Sequence, residues 1–518
     1  MTYSRIIFFR RLGFGGIVIV LFGSAVLCPR EGKKIISLEA ETVAIATLKL
    51  GKGPYFFFDD RLVAEKVGMA LKVHSPKKYE GNPIVPSKNP FTVLDLPTGA
   101  AALLADESGD GFRMWYVLHK RGLPGTHLGY AVSADGIGWQ FPDLGIVEFD
   151  GSKRNNLLLP QVLGGRILVD PNPARPDEKY KAILYRHQPP PVGFSVAFSP
   201  DGLHWSPPLW IEELDDRSQT GIQGQGASDV VNAFYDRERG EWVALFKMWS
   251  LPGQYEVAVK RGIDAPRYGR RVIGISRSKD FRHWTKARQI LLPDDQDPPT
   301  LEFYGMQAVI RRGGWYIGFV PCLIDDAPPD GIGWTELAVS RDGNSWKRIR
   351  QPFLDRSADD ADAPDHAIAW VSEVFPVKDR EYVYYSALRY GHKYLAPGYG
   401  LKGGDRSGCL AFLEKNRFVS LETVSGSGRI ETNRVLLPKD EIGPLLLNVD
   451  AAGGKVRVQL SDGGKVLKGY SFSDCDPISV DSVSVPVRWR GRSDLPKAGR
   501  PLVMEFGVEN ASLYTFEF

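Results

Sequence analysis

Ser133-Ala-Asp135-Gly-Ile-Gly-Trp139, Ser199-Pro-Asp201-Gly-Leu-His-Trp205, Ser278-Lys-Asp280-Phe-Arg-His-Trp284 and Ser340-Arg-Asp342-Gly-Asn-Ser-Trp346 are four copies of one pattern. Their serines lie 66, 79 and 62 residues apart, and each follows a strand-like stretch: LGYAVS, FSVAFS, VIGISR or TELAVS. An Asp-Gly turn leaving a strand, with a tryptophan folding back on it, is a hairpin signal. Recurrence at a nearly fixed period is the signature of a repeat architecture. A period of roughly 60–70 residues suits one four-stranded propeller blade with an irregular loop.

Upstream of each turn lies an apolar strand, a turn and an aromatic-rich strand: AALLADESGDGFRMWYVL, RILVDPNPARPDEKYKAILY, VVNAFYDRERGEWVALFKMW and GMQAVIRRGGWYIGFV. A fifth hairpin, VFPVKDREYVYYSAL, follows without its own Ser-x-Asp turn, which looks degraded at CLAFLEKNRFVSL. The expectation is an all-β chain: a five-bladed β-propeller over residues 50–423, then a C-terminal β-sandwich over 424–518. The second part reads from the alternating strands LLLNVDA, KVRVQLSD, VLKGYSF, VSVPVRW, LVMEFGV and SLYTFEF.

The bulk numbers agree. A chain of 518 residues exceeds what one core usually serves, so two domains are expected. The formal charge of +3, without a long Lys/Arg run, gives no reason to expect a nucleic-acid partner. Arg5, Arg10 and Arg11 precede the apolar run Leu12 to Leu27, with small residues at Gly23, Ser24 and Ala25. Residues 1–27 therefore read as a signal peptide, with a lipid on Cys28 or an uncleaved anchor as the alternatives, and export to the periplasm or medium is expected. Cys322, Cys409 and Cys475 fit no disulfide framework or zinc spacing and read as small buried residues.

In a propeller the inner strands run parallel and open on one mouth, so position along a strand decides which face a side chain reaches. Asp106, Asp170, Asp236 and Asp379 fall where an inner strand turns, and turn chemistry explains them. Asp229 in ASDVVNAFYD, Glu302 in TLEFYGMQAVI and Glu373 in WVSEVFPV fall at strand starts, and Asp95 in FTVLDLP lies just before the first. A carboxylate opening an apolar strand is costly unless paired or used. The second repeat lacks such an acid and offers Asn155 and Asn156.

Glycosidic cleavage needs two carboxyl groups flanking the scissile bond, one to protonate the leaving oxygen and one to attack or activate water. On this reading Glu302 beside Phe303 and Tyr304 takes the acid role. Asp229 or Asp95 is nucleophile or base, and Glu373 completes the ring of acids. His392 would hold sugar hydroxyls and Trp370 would stack on a sugar face. The substrate is a carbohydrate, and no cofactor is called for, a channel calcium ion being compatible with the acids.

The Ser-x-Asp-Gly-x-x-Trp turns, Asp59-Asp60-Arg61-Leu62, Gly391-His392-Lys393 and Arg417-Phe-Val-Ser-Leu421 resemble exported proteins related to glycoside hydrolase family 32. With family 43, these are five-bladed propeller hydrolases. The resemblance implies a glycosidase-type propeller trailed by a sandwich. The Asn-Asp-Pro-Asn-Gly, Arg-Asp-Pro and Glu-Cys runs of family 32 are absent, so it does not extend to furanoside specificity. Two alternatives stand beside it. One is a sialidase, whose Asp-box has a further residue between Asp and Gly and whose fold needs six blades. The other is a non-catalytic propeller that binds carbohydrate or protein.

Overall fold

The computed structural model describes residues 47–85, 102–105, 111–119, 126–186, 193–215, 226–251, 254–255, 269–327, 331–392, 406–437, 443–496 and 499–518. It also gives the backbone of Val93–Asp95 and of three short strands within residues 6–44. The side chains of residues 1–46, and with them the signal-peptide expectation and Cys28, lie outside the described residues, as does Asp106. Among the described residues the chain is essentially all-β. Its one helical turn is a 3-10 turn at Pro176–Glu178, and no helix is long and apolar enough to cross a membrane.

Two compact units emerge, Val73–Lys415 and Met1–Lys72 with Asn416–Phe518. The first contains five successive antiparallel strand groups, called sheets one to five, the last two being joined into one nine-stranded sheet by a single parallel pairing of Gly333 with Ile368. Sheet one runs Ala102–Ala105, Phe112–His119, Thr126–Ser133, Leu157–Pro160, with Val93–Asp95 also on its second strand. Sheet two begins at Gly164–Val169 and sheet three at Ala227–Asp236. Sheet four has a divided first strand, Leu301–Phe303 and Ala308–Arg312. Sheet five begins at Ile368–Val377. Each first strand touches the next in order, and that of sheet five returns to touch that of sheet one. The fourth strand of sheet five is Lys77–Lys78, from ahead of sheet one, paired with Ala411 and Phe412.

The repeated turn explains this regularity at atomic level. In each copy the serine Oγ accepts the aspartate's own N–H at 3.3 Å, and the aspartate Oδ1 accepts the N–H groups two and three residues on at 2.7–2.8 Å. The residue after the aspartate takes positive φ: Gly136, Gly202 and Gly343, but Phe281 (φ 65°) in the third copy. Phe281 is accepted there because its ring is fully buried against Trp242 and Trp284.

Each tryptophan packs between its own sheet and the preceding one: Trp205 between one and two, Trp284 between two and three, Trp346 between three and four. Trp139 packs between sheets five and one. Trp284 is buried and the other three are half-buried. Trp284→Ala is therefore expected to cost about 3–5 kcal/mol in denaturant unfolding, and the other three less. Equal losses at all four would contradict this packing.

Asp135 lies below the ordinary carboxylate value through the N–H groups of Gly138 and Ile137. At Asp201, Asp280 and Asp342 burial pushes the other way, and the turn's donors outweigh it. A lowered native value means stability that is present above the unfolded value near 3.8 and lost as pH falls below it. An Asp201→Asn/Asp280→Asn variant should accordingly lose less stability between about pH 4 and pH 2 than the parent. Tryptophan fluorescence would report this, and parallel pH profiles would refute it.

The other unit departs from the expected boundaries. Val63–Val67 pairs with Ser427–Thr432, Tyr55–Phe56 with Ser512–Glu517, and Leu48–Lys49 with Val435–Leu436. Residues 48–72 thus join the C-terminal strands rather than the repeats. Val419–Thr423, expected to close the fifth repeat, pairs with Ser512–Glu517. Two sheets share one apolar core here that includes Leu62, Leu447, Val458, Trp489, Phe506 and Phe516. Of VLKGYSF, only Val466 is strand, in Lys465–Val466, where it pairs with Ser461 across a hairpin; the rest is turn or irregular. Cys322, Cys409 and Cys475 are buried and free.

Candidate active site

The repeated serines give a common ruler. Ser133, Ser199, Ser278 and Ser340 face Phe112, Tyr180, Trp242 and Tyr316 across the second strand of each sheet. Five residues further along that strand stand Val117, Tyr185, Lys247 and Pro321. The first three face Asp95, Gly164 and Ser228, and the Tyr304 N–H donates to the Pro321 carbonyl at 2.7 Å. Asp95, Gly164, Ser228 and Tyr304 therefore occupy one rung of sheets one to four, and Asp229 directly follows Ser228.

At that rung the first strands are irregular. The ladder of sheet three slips between Ser228 and Val231, which throws Asp229 and Val230 out as a bulge. Sheet four breaks between Phe303 and Ala308, and Gly305 turns with φ 99°. A Cβ on Gly305 would lie 2.7 Å from Val230 Cγ1, so the break of one sheet fits against the bulge of its neighbour. Gly305→Ala meets both a forbidden φ and a clash. It should lower melting temperature by several degrees more than Gly240→Ala, at an open turn of similar sign.

Asp229 is ion-paired with Lys247, accepts the Ser228 hydroxyl at 3.0 Å, and keeps 29% of its side chain exposed. The buried Lys247 ammonium also lies 4.5 Å from the centre of the Tyr304 ring. That ring stacks on Trp370 at 4.6 Å, and its hydroxyl reaches His392 Nε2 at 3.0 Å. His392 Nδ1 meets Asp325 Oδ1 at 3.3 Å, and Asp325 Oδ2 accepts Arg271 Nη1 at 3.3 Å. Arg271 donates both its guanidinium and its backbone N–H to Glu302.

Burial drives His392 down to about 4, aided by Arg271 and Arg406 and opposed by Asp325. A neutral imidazole bonded to a carboxylate through Nδ1–H leaves Nε2 to accept the Tyr304 proton. Burial raises the Tyr304 phenol, with Lys247 and Arg271 pulling the other way. At Arg271 burial works against the charge, but the carboxylates of Glu302 and Asp325 prevail and raise its value.

Several expected roles change with these contacts. Glu302 is 0% exposed and holds Arg271 with both oxygens, so in this arrangement it is closed off by its counter-ion rather than open at a strand start. Trp370 is fully buried, stacked on Tyr304 and bonded through Nε1 to the Cys322 carbonyl, which leaves no face for a sugar. Both nitrogens of the buried His392 are taken. Asn155 spends its amide on Val147, Ser152 and Leu157, and Asn156 on Tyr116 and Tyr130, around the last strand of sheet one. Both amides are thus engaged by the protein's own groups rather than displayed for a ligand.

Glu373 lies just past a slip in its own strand and pairs with Arg166 at 2.5 Å. That pair joins the first strands of sheets five and two, which are not neighbours in order. Asp95 is placed by its backbone alone, its side chain being outside the described residues. The turn set behaves as turn chemistry requires. Asp170 accepts the Asn172 N–H and Asp236 those of Glu238 and Arg239, while Asp379 is exposed.

Lys247, Arg271 and Asp325 were not picked out from sequence. Each interrupts or ends an apolar strand (ALFKMW, RRVIGIS, IGFVPCLID), the same signal that marked the acids, but on second and third strands. Among the described residues no group of three or more His, Cys, Asp or Glu could hold a metal ion.

No family model and no curated protein matches the chain. Solved structures do. A glycosyl hydrolase from Bacteroides ovatus is 15% identical, covering 66% of this chain and 94% of its own, with a TM-score of 0.42. A β-1,2-mannobiose phosphorylase from Listeria innocua is 13% identical, covering 65% and 96%, at 0.41. An N-acetylgalactosamine deacetylase from F. plautii is 14% identical, covering 68% and 96%, at 0.39.

Proposed function

We propose that Val73–Lys415 is a five-bladed β-propeller, that the other unit is a β-sandwich, and that the chain is an exported glycoside hydrolase acting at the propeller mouth. The ring of first-strand contacts and the closure of sheet five by Lys77–Lys78 support the first part. The observation that carries the function is the rung shared by Asp95, Ser228 and Tyr304, with Asp229 thrown out beside it on a bulge and partly exposed.

In this reading Asp229, held by Lys247 and Ser228, is the nucleophile or base. Asp95, two sheets away with only Gly164 between them on the rung, is the acid. The glycosidic C–O bond breaks as the leaving oxygen takes the Asp95 proton. Asp229 meanwhile bonds to the anomeric carbon or takes a proton from the attacking water. Beside them Tyr304, Trp370, His392, Asp325, Arg271 and Glu302 form a bonded floor that keeps the bulge in place.

A second reading, a sugar-binding propeller without turnover, is favoured by the internal bonding that occupies Glu302, Asp325 and His392 in that floor. A panel of aryl furanosides, aryl pyranosides and natural polysaccharides separates the two. Release of sugar supports the hydrolase, and binding with no turnover on any member supports the alternative.

A further inference from the structure

In the sandwich unit the segment Leu467–Ser471 and the turn Trp489–Arg492 face each other across a surface cavity of about 590 Å3. That is within the size range of small-molecule sites. Its walls carry Lys468, Arg490 and Arg492, with Ser471 and the apolar Val466 and Leu467 beside them. The one acid there, Asp474, is already committed, since it holds Arg490 at 2.5 Å and accepts the Ser471 hydroxyl at 2.7 Å. Lys468 has no ion-pair partner among the described residues. Arg492 has only Asp494 at 3.7 Å, with the two side chains 60% and 61% exposed, a pair worth little in water. The cavity therefore holds a surplus of positive charge.

The cations are displayed on a rigid frame. Arg490 adopts φ 53°, a conformation costly for a residue with a side chain, and neighbouring bonds hold it there. Its N–H donates to the Asp474 carbonyl at 2.9 Å, and the Gly491 N–H donates to Asp476 Oδ2 at 2.9 Å. Beneath the turn the fully buried Trp489 donates Nε1 to the Val458 carbonyl and meets the Tyr470 ring edge-on at 5.1 Å. Tyr470 belongs to the facing wall, so one aromatic contact fixes both sides.

We infer that this cavity is a binding site for an anionic saccharide unit, one bearing a carboxylate or a sulfate ester. The cations would meet the anion, and Val466 with Leu467 would cover the apolar face of the ring. The saccharide class rests on the proposed function, while the anion preference rests on these residues alone, all of which belong to the other unit.

The full-length protein tests it by titration calorimetry with polygalacturonate, with chondroitin sulfate and with neutral arabinan. The expected result is binding to at least one acidic polymer, with uronate and sulfate told apart by which binds, and much weaker binding to arabinan. Lys468→Ala/Arg492→Ala, at two exposed positions, should weaken the acidic polymer at least tenfold, with melting temperature and turnover of a small aryl glycoside unchanged. Equal affinity of the parent and double variant would overturn the site. So would equal affinity for arabinan, or binding of duplex DNA as tight as that of the glycan. Loss of turnover in the propeller alone would count against the hydrolase and not against this cavity.

Discussion

Asp229→Asn is expected to lower turnover by about 10²–10⁴-fold, the range that acid–base or nucleophilic side chains contribute. Asparagine keeps the size of the side chain and can still accept from Ser228 and Lys247, so the bulge should survive. What it loses is the charge that attacks carbon or removes a proton. Substrate dissociation constant and melting temperature should therefore stay close to the parent's while kcat falls. Asp170→Asn gives the control, because Asp170 serves a turn and Lys181 at the opposite end of its strand. Strong loss at Asp170 with none at Asp229 would reverse the assignment of the two ends.

The second large effect is on stability. Arg271→Met should destabilise the protein by about 3–5 kcal/mol, because it removes the Arg271 cation from Glu302 and Asp325 in a site where both are buried. Glu302→Gln should act in the same direction with a smaller loss, since the amide oxygen still accepts one of the two bonds from Arg271. Urea unfolding measures both. If Glu302→Gln abolished turnover and left unfolding untouched, Glu302 would be the proton donor that its place at a strand start suggests, and the buried pairing would not describe the working enzyme.

Much of the fold was readable because its signals are local. A Ser-x-Asp turn is closed by its own backbone N–H groups, so four copies announce themselves wherever they occur. The tryptophans three residues beyond the turn position are local too, and their packing between successive sheets follows from the period. The separation of acids at strand starts from acids at turns also came from position alone. Asp170, Asp236 and Asp379 serve as turn residues, as their places after a strand required.

What lay beyond the sequence was pairing over long separations. Nothing in Tyr55–Phe56 or Val63–Val67 says that these strands complete a sheet some 360 to 460 residues later, because an edge strand carries no label for its partner. The same holds at the site. Sequence marked Glu302, His392 and Trp370 as exceptional by being charged or aromatic at strand ends, and they are exceptional. Whether such a residue faces solvent or a counter-ion depends on side chains from other sheets: Arg271 on Glu302, Asp325 on His392 and Tyr304 on Trp370. The sequence by itself determined that costly polar groups gather at one end of the strands. Only the tertiary structure decided which of them are buried in their ion pairs and which, like Asp229 beside Lys247, stay partly exposed, because burial and charge balance are sums over neighbours distant in the chain.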